Sequence, residues 1–198
     1  MGQYFENDEK ITNEEFDIFF EFGGQKFTLK SNNGIFSKHK LDYGSMVLME
    51  TVKDLSLKGD ILDLGCGIGV IGLCLAYFDE NHYTLVDINS RAISMAKINA
   101  QKLNLSDRID IIESDGFAEI NEKIFDYILL NPPIRAGKGV IYKLYKDSYD
   151  HLNDGGLLII VIRKDQGALS HKKYLETFFK EVSLINRERG YFIYKCEK

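Results

Sequence analysis

From residue 59 onward, short apolar runs alternate with stretches whose apolar residues recur at helical spacing, and this rhythm narrows the fold more than any other feature of the chain. Ile61-Leu62-Asp63-Leu64 reads as a short buried strand, followed by a helix from about Val70 to Phe78. Tyr83 to Asp87 reads as a second strand, and Ser90 is expected to cap a helix carrying Ile93, Ala96, Ala100 and Leu103 on one face. Ile109 to Ile112 and Phe125 to Leu130 give a third and a fourth strand. A helix is expected from about Val140, with Ile141, Tyr145, Ser148 and Leu152 in register and Gly155-Gly156 as its break. Leu157 to Ile162 is wholly apolar, which suits the middle of a parallel sheet. A helix near 167–180 then precedes two strands, Val182 to Asn186 and Tyr191 to Lys195, joined around Arg189-Gly190. The alternation implies an α/β chain with a doubly wound parallel sheet covered on both faces. The short turn between the last two strands makes them antiparallel neighbours.

Ahead of this region, residues 16–22 and 26–29 flank Gly23-Gly24 and predict a hairpin, and a helix is expected from about Ser45 through Leu48, Val52 and Leu55. The chain therefore divides into an N-terminal hairpin extension, 1–44, and a doubly wound domain, 45–198. With 198 residues, 44% hydrophobic and 28% charged, it has the balance of a single globular domain and excludes wholesale disorder and coiled coil. Its longest aliphatic run is the 6 residues Leu157 to Ile162, far below the roughly 18 that cross a bilayer, so no membrane partner is expected. Three scattered cysteines, Cys66, Cys74 and Cys196, fit a reducing cytoplasm. The four histidines, His39, His82, His151 and His171, are dispersed, and no Cys/His spacing predicts a metal site.

The chemistry begins where the first strand of the alternation turns into its helix, at Asp63-Leu64-Gly65-Cys66-Gly67-Ile68-Gly69. Glycines belong there because a ligand approaches the backbone closely at the carboxyl end of such a strand. Asp87 ends the second strand, where its carboxylate can accept hydrogen bonds from both hydroxyls of a ribose. Together these residues predict a nucleoside-containing cofactor. Gly67-Ile68-Gly69-Val70-Ile71-Gly72 matches the dinucleotide fingerprint literally and, taken alone, favours NAD. Asp63 opposes that reading, since a pyrophosphate would meet a carboxylate in a poorly solvated cleft, whereas the positively charged S-adenosyl-L-methionine tolerates one.

Asn131-Pro132-Pro133-Ile134 follows directly on the fourth strand and so faces the same cleft. Two successive prolines hold the backbone extended and remove two N–H donors. That leaves the Asn131 amide oxygen and the Pro132 carbonyl as acceptors for a planar exocyclic amine. Such an amine, bound by both hydrogens, would aim its lone pair out of plane toward a methyl group on sulfur, a displacement that needs positioning more than a strong base.

With these residues in place, the sequence resembles the small-domain class I methyltransferases of the ribosomal RNA guanine-N2 type, the RsmC-like family. The resemblance covers residues 16–196 and rests on Gly34-Ile35-Phe36-Ser37, Asp42-Tyr43-Gly44-Ser45, the Asp63 to Gly69 loop, Val86-Asp87-Ile88-Asn89, Ser114-Asp115, the run Asn131 to Lys138, and Gln166-Gly167-Ala168. It implies a Rossmann-like methyltransferase fold whose seven-stranded, mostly parallel sheet has an antiparallel C-terminal strand. It implies S-adenosyl-L-methionine as methyl donor, held by Asp63, Gly65, Cys66, Gly67, Gly69, Asp87, Ile88 and Asn89, with Asp115 and Gly116 at the adenine. Ser37, Asp42 and Ser45 would belong to a lid over the methionine end. Asn131 and Pro132 would orient the acceptor amine while Pro133 and Ile134 pack on its ring.

Relatives that methylate adenine N6 or a protein glutamine usually carry an aromatic residue where Ile134 stands, so the apolar Ile134 favours guanine. The formal net charge of −5 argues against gripping nucleic acid through the whole surface. Arg135, Lys138, Arg163 and Lys164, just beyond the fourth and fifth strands, are expected to contact phosphates locally. The resemblance thus implies RNA, ribosomal RNA or a ribosomal particle, as the partner. The two-copy enzyme it resembles has a second domain that this sequence lacks, and the hairpin or a second subunit in a homodimer is left to supply its part. A protein glutamine, an adenine or a non-catalytic cofactor-binding module stay open as alternatives.

Overall fold

A computed structural model describes residues 14–33, 35 and 41–198. Ser37, with Gly34 and Phe36 of the same motif, lies outside the described residues.

The hairpin pairs β1 (Glu15–Phe22) with β2 (Gln25–Asn32) in antiparallel register, Phe22 opposite Gln25 across the Gly23-Gly24 turn. Helix α1 (Tyr43–Leu55) leads into β3 (Asp60–Leu64), α2 (Val70–Ala76), β4 (His82–Asp87), α3 (Ser90–Lys102) and β5 (Ile109–Glu113). Then follow β6 (Phe125–Leu130), α4 (Lys138–Asp150), β7 (Leu152–Arg163), α5 (Ala168–Leu175), β8 (Glu181–Glu188) and β9 (Tyr191–Glu197). The seven-stranded sheet has the order β5-β4-β3-β6-β7-β9-β8. Its first five strands are parallel, and β9 lies antiparallel between β7 and β8. This is the mostly parallel, seven-stranded arrangement with an antiparallel C-terminal end that the resemblance implies.

Alternate residues of each central strand serve opposite faces, which is why these strands read as unbroken apolar runs. Ile61, Leu129, Ile159 and Ile193 face a core shared with α1, α2, α3 and the hairpin residues Ile18, Phe22, Phe27 and Leu29. Leu62, Ile128, Leu158 and Tyr194 face the second core, closed by Ile141 and Tyr145 of α4 and Ala168 and Leu175 of α5. The hairpin is thus built into the first core.

Several element boundaries differ from the sequence reading. Helix α1 begins at Tyr43 because Asp42 caps it, its carboxylate accepting from the Ser45 amide at 2.9 Å. Ser90 is not the cap of α3; Asn89 is, with its side-chain oxygen accepting from Arg91 and Ala92. Helix α4 ends at Asp150, so Leu152 starts β7 instead of extending the helical face. Gly155, at φ +75°, therefore breaks no helix; it lies where the β6–β7 register shifts between Phe125 and Tyr127. Helix α5 closes at Leu175, earlier than the expected 180. Among the described residues, no helix is long and apolar enough to cross a membrane.

Candidate active site

Leu64 ends β3 and pairs with Leu130, the last residue of β6, so Gly65 and Asn131 leave the sheet side by side. Here the strand order reverses, from β3-β4-β5 on one side to β6 and β7 on the other. Side chains from both βα connections converge at such a switch point.

The glycine loop is held by backbone bonds and by two aspartates. The amides of Gly65 and Cys66 both donate to the Val86 carbonyl, at 2.8 and 2.9 Å. One oxygen of Asp87 accepts from the Gly67 amide and the other from the Asn89 amide, each at 2.9 Å. Burial is the main reason the Asp87 carboxyl lies above its ordinary value. Gly65 and Gly67 adopt φ +74° and +56°, and a Cβ on either would project into open space. Glycine is therefore required by backbone conformation and not by crowding, and the backbone there is open to close approach. Gly72 serves packing instead, since a Cβ there would stand 2.7 Å from Leu85, and its bareness lets α2 lie against β4.

Asp63 is fully buried beneath this loop. One oxygen accepts from the Gly72 amide at 2.8 Å, while Oδ1 alone among the buried side-chain polar atoms described has no hydrogen-bond partner. Burial is the chief cause that pushes its carboxyl up to about 7, and the nearby Asp87 adds to it. An orphaned carboxylate oxygen suits a cationic ligand and repels a pyrophosphate. Cys66 is buried beside it; burial and the two aspartates push its thiol well up, which leaves it inert at neutral pH.

At the end of β5, the Ser114 amide donates to the Asp87 carbonyl at 3.0 Å, and the Ser114 hydroxyl donates to the Gly116 carbonyl at 2.9 Å. These bonds set the exposed Asp115 beside the loop, with Gly116 at φ +61°. Ile88, between Asp87 and Asn89, is half-buried.

Asn131 is held from across the site. Its Nδ2 donates to Asp42 Oδ2 at 2.8 Å and to the Ser45 hydroxyl at 2.9 Å. Pro132 is buried, whereas Pro133 and Ile134 are half-buried, with Ile134 resting on the second core. Asp42 and Ser45, at the entrance of α1, thus meet Asn131 directly. That entrance is braced in turn by the last strand pair: Tyr43 donates to Glu188, and Gly44 leaves room for the Tyr191 ring. Arg135, Lys138, Arg163 and Lys164 are all exposed on this side. Arg163 pairs with Asp165 at 3.1 Å, and Lys138 donates to the Ser170 hydroxyl at 3.3 Å.

Two sets of contacts around the site escaped the sequence reading. The Asp42–Ser45–Asn131 contact joins residues 86 and 89 positions apart. Asn99, fully buried, bonds both the amide and the carbonyl of Lys30 in β2 and also the Ile68 carbonyl of the glycine loop. Its signal was present as a lone amide on the otherwise apolar α3 face of Ile93, Ala96 and Ala100.

The sequence matches the methyltransferase small domain over residues 26–195. The chain belongs to this family of class I S-adenosylmethionine-dependent methyltransferases. Across the family it is 40% identical over 181 residues to the uncharacterized protein YbxB of Bacillus subtilis, covering 90% of each chain. It is 32% identical over 178 residues to ribosomal RNA small subunit methyltransferase C of Haemophilus influenzae, covering 87% of this chain and 52% of the relative. The chain therefore spans about half the length of that ribosomal RNA methyltransferase. A solved T. thermophilus 16S rRNA N2 guanine methyltransferase, RsmC, in complex with AdoMet and guanosine, superposes with a TM-score of 0.83 at 23% identity. That likeness, over 93% of this chain and 50% of the other, concerns the fold.

Proposed function

We propose that this methyltransferase transfers a methyl group from S-adenosyl-L-methionine to the exocyclic N2 amine of a guanine in RNA, ribosomal RNA being the substrate its relatives indicate. The observation that carries the reading is the placement of Asn131-Pro132-Pro133-Ile134 beside the glycine loop at the switch point. When bound, S-adenosyl-L-methionine supplies a methyl group on a positively charged sulfur. Asp63, Gly65, Cys66, Gly67, Gly69, Asp87, Ile88, Asn89, Asp115 and Gly116 form its seat: Asp63 offers charge, Asp87 the ribose contacts, and the glycines close backbone approach.

On the acceptor side, Asn131 Oδ1 and the Pro132 carbonyl hold the two amine hydrogens. Pro133 and Ile134 cover the ring with apolar surface. Held this way, the amine nitrogen presents its lone pair out of plane. As a nitrogen–carbon bond formed, the methyl carbon's bond to sulfur would break and leave a neutral thioether, while the nitrogen, then cationic and strongly acidic, would give its proton to water without a strong base. Orientation is the main contribution of the protein. Arg135, Lys138, Arg163 and Lys164 contact phosphates flanking the base, which has to leave its stack to reach Asn131. An RNA target of this kind places the protein in the cytoplasm. This chain matches 50% of the length of the solved 16S rRNA enzyme, and the hairpin is the element that could widen the RNA surface.

The decisive experiment transfers labelled methyl from S-adenosyl-L-methionine to total cellular RNA, followed by digestion to nucleosides. Label in N2-methylguanosine is the expected result. Label absent from RNA, with the cofactor still bound, would move the acceptor to a protein amide.

A further inference from the structure

We infer that Asp42 and Ser45 are positioning residues for the acceptor, fixing which way round the Asn131 carboxamide sits. This deepens the proposed reading of the site and rests on it for the identity of the amine. A carboxamide has two nearly isosteric ends, one that only donates and one that only accepts, and an exocyclic amine can be held only by the accepting end. Nothing in Asn131 itself or in the two prolines after it selects that end.

The selection comes from α1. Asp42 Oδ2 is a carboxylate oxygen and can only accept, so the group 2.8 Å away must be Nδ2. The Ser45 hydroxyl donates to that same Asp42 oxygen at 3.4 Å, which turns its lone pairs toward the second Nδ2 hydrogen at 2.9 Å. Both hydrogens of Asn131 are thereby taken. The flipped carboxamide would set oxygen against the Asp42 carboxylate and lose that bond, and Ser45 could keep its own only by turning its hydroxyl away from Asp42 to donate, a cost of several times thermal energy by ordinary values for hydrogen bonds to charged groups. The site therefore offers Oδ1, an obligate acceptor, to whatever enters, and selects an N–H donor over a group that must accept. Asp42 is itself pinned as the cap of α1 through the Ser45 amide, so the orientation is built into the entrance of that helix.

One detail separates this role from service to the cofactor. A single oxygen, Oδ2, receives the Ser45 amide, the Ser45 hydroxyl and Asn131. A neutral side chain with an oxygen there can do the same, whereas holding a cationic cofactor needs the negative charge. The experiment compares Asp42→Asn, Asp42→Ala and Ser45→Ala by three readouts: kcat for methyl transfer, Kd for S-adenosyl-L-methionine, and the Asn131 side-chain amide signals in a 1H–15N spectrum. We expect Asp42→Ala to lose about 10- to 100-fold of kcat and Asp42→Asn, the conservative variant, to recover most of that loss. Cofactor Kd should stay within about 3-fold in both variants. The Asn131 amide protons should be protected from exchange in the wild type and in Asp42→Asn, and lose protection in Asp42→Ala. Equal losses of cofactor affinity in Asp42→Asn and Asp42→Ala would overturn the inference and give the carboxylate to the cofactor. So would an Asn131 spectrum indifferent to Asp42→Ala. Ser45→Ala keeps the Asp42 cap and frees one Asn131 hydrogen, so it carries the same comparison should Asp42→Ala not fold. The spectra decide the orientation even if no RNA guanine is methylated, which keeps this inference separate from the choice of substrate.

Discussion

The two halves of the cleft are made rigid in opposite ways. The glycine loop is secured by its own neighbourhood: Val86 and Asp87 of the adjacent strand hold the amides of Gly65, Cys66 and Gly67. The segment proposed to take the acceptor, after β6, opens on two prolines that donate no backbone bonds; its turn is closed by Ala136 and Gly137 donating to the Pro133 and Ile134 carbonyls, and the Asn131 amide is held by Asp42 and Ser45 from the start of α1. A loop that must lie close to a ligand can be encoded as a short motif. A side chain that must present one chosen atom needs partners from elsewhere, and here they come from a helix that is itself braced by the last two strands.

The sharpest way to break the contrast is Asn131→Ala. It should lower kcat by about 10² to 10³, as loss of one preorganised polar group does, with cofactor Kd nearly unchanged in a binding titration. The cofactor half should instead answer to pH. Because the folded-state pKa of Asp63 stands at about 7, above the ordinary carboxylate value, the free protein holds that proton more tightly than the unfolded chain does. Its contribution to stability is therefore greatest at low pH and declines as pH rises toward 7. A cationic ligand prefers the ionised form, so cofactor affinity should move the other way, falling by up to about tenfold per pH unit below 7. Titration calorimetry between about pH 5.5 and 8.5, a span that brackets that value, checks the sign, with Asp63→Asn as the flat-profile control.

Gly72→Ala tests the packing beneath the loop, next to Asp63, whose Oδ2 would lie 3.2 Å from the new Cβ. Its Cβ would press on Leu85 and should cost about 1–3 kcal/mol of stability, read as a lowered Tm. The smallest effect is expected from reversing charge at Lys138 and Lys164 together. RNA affinity should fall by about tenfold and the salt dependence should flatten, because two phosphate contacts are lost, while cofactor Kd stays put. Unchanged methylation of RNA by that double variant would remove these lysines from the RNA surface.

What could be read in the sequence follows the same division. Asp63, Gly65, Gly67 and Asp87 are close in the chain, and their spacing already describes a seat for a nucleoside. Asn131-Pro132-Pro133-Ile134 was equally visible, but the orientation of Asn131 was not, since nothing in the chain joins position 131 to positions 42 and 45. Among the elements, the strands were legible because burial on two faces makes them continuous apolar runs. The helix ends were less so. Leu152 kept helical spacing with Ile141 and Tyr145 yet belongs to β7, because helical period and strand burial both place an apolar residue there. Asn89 displaced Ser90 as the cap by a single position, two good capping residues having stood side by side.

Asn99 gives the hairpin a thermodynamic consequence. Its one carboxamide holds the backbone of Lys30 with one hand and the Ile68 carbonyl with the other, so β2 and the glycine loop share a fastening. If a ligand on the loop shifted this fastening, linkage would require any ligand held at the hairpin to be affected by the same factor in return.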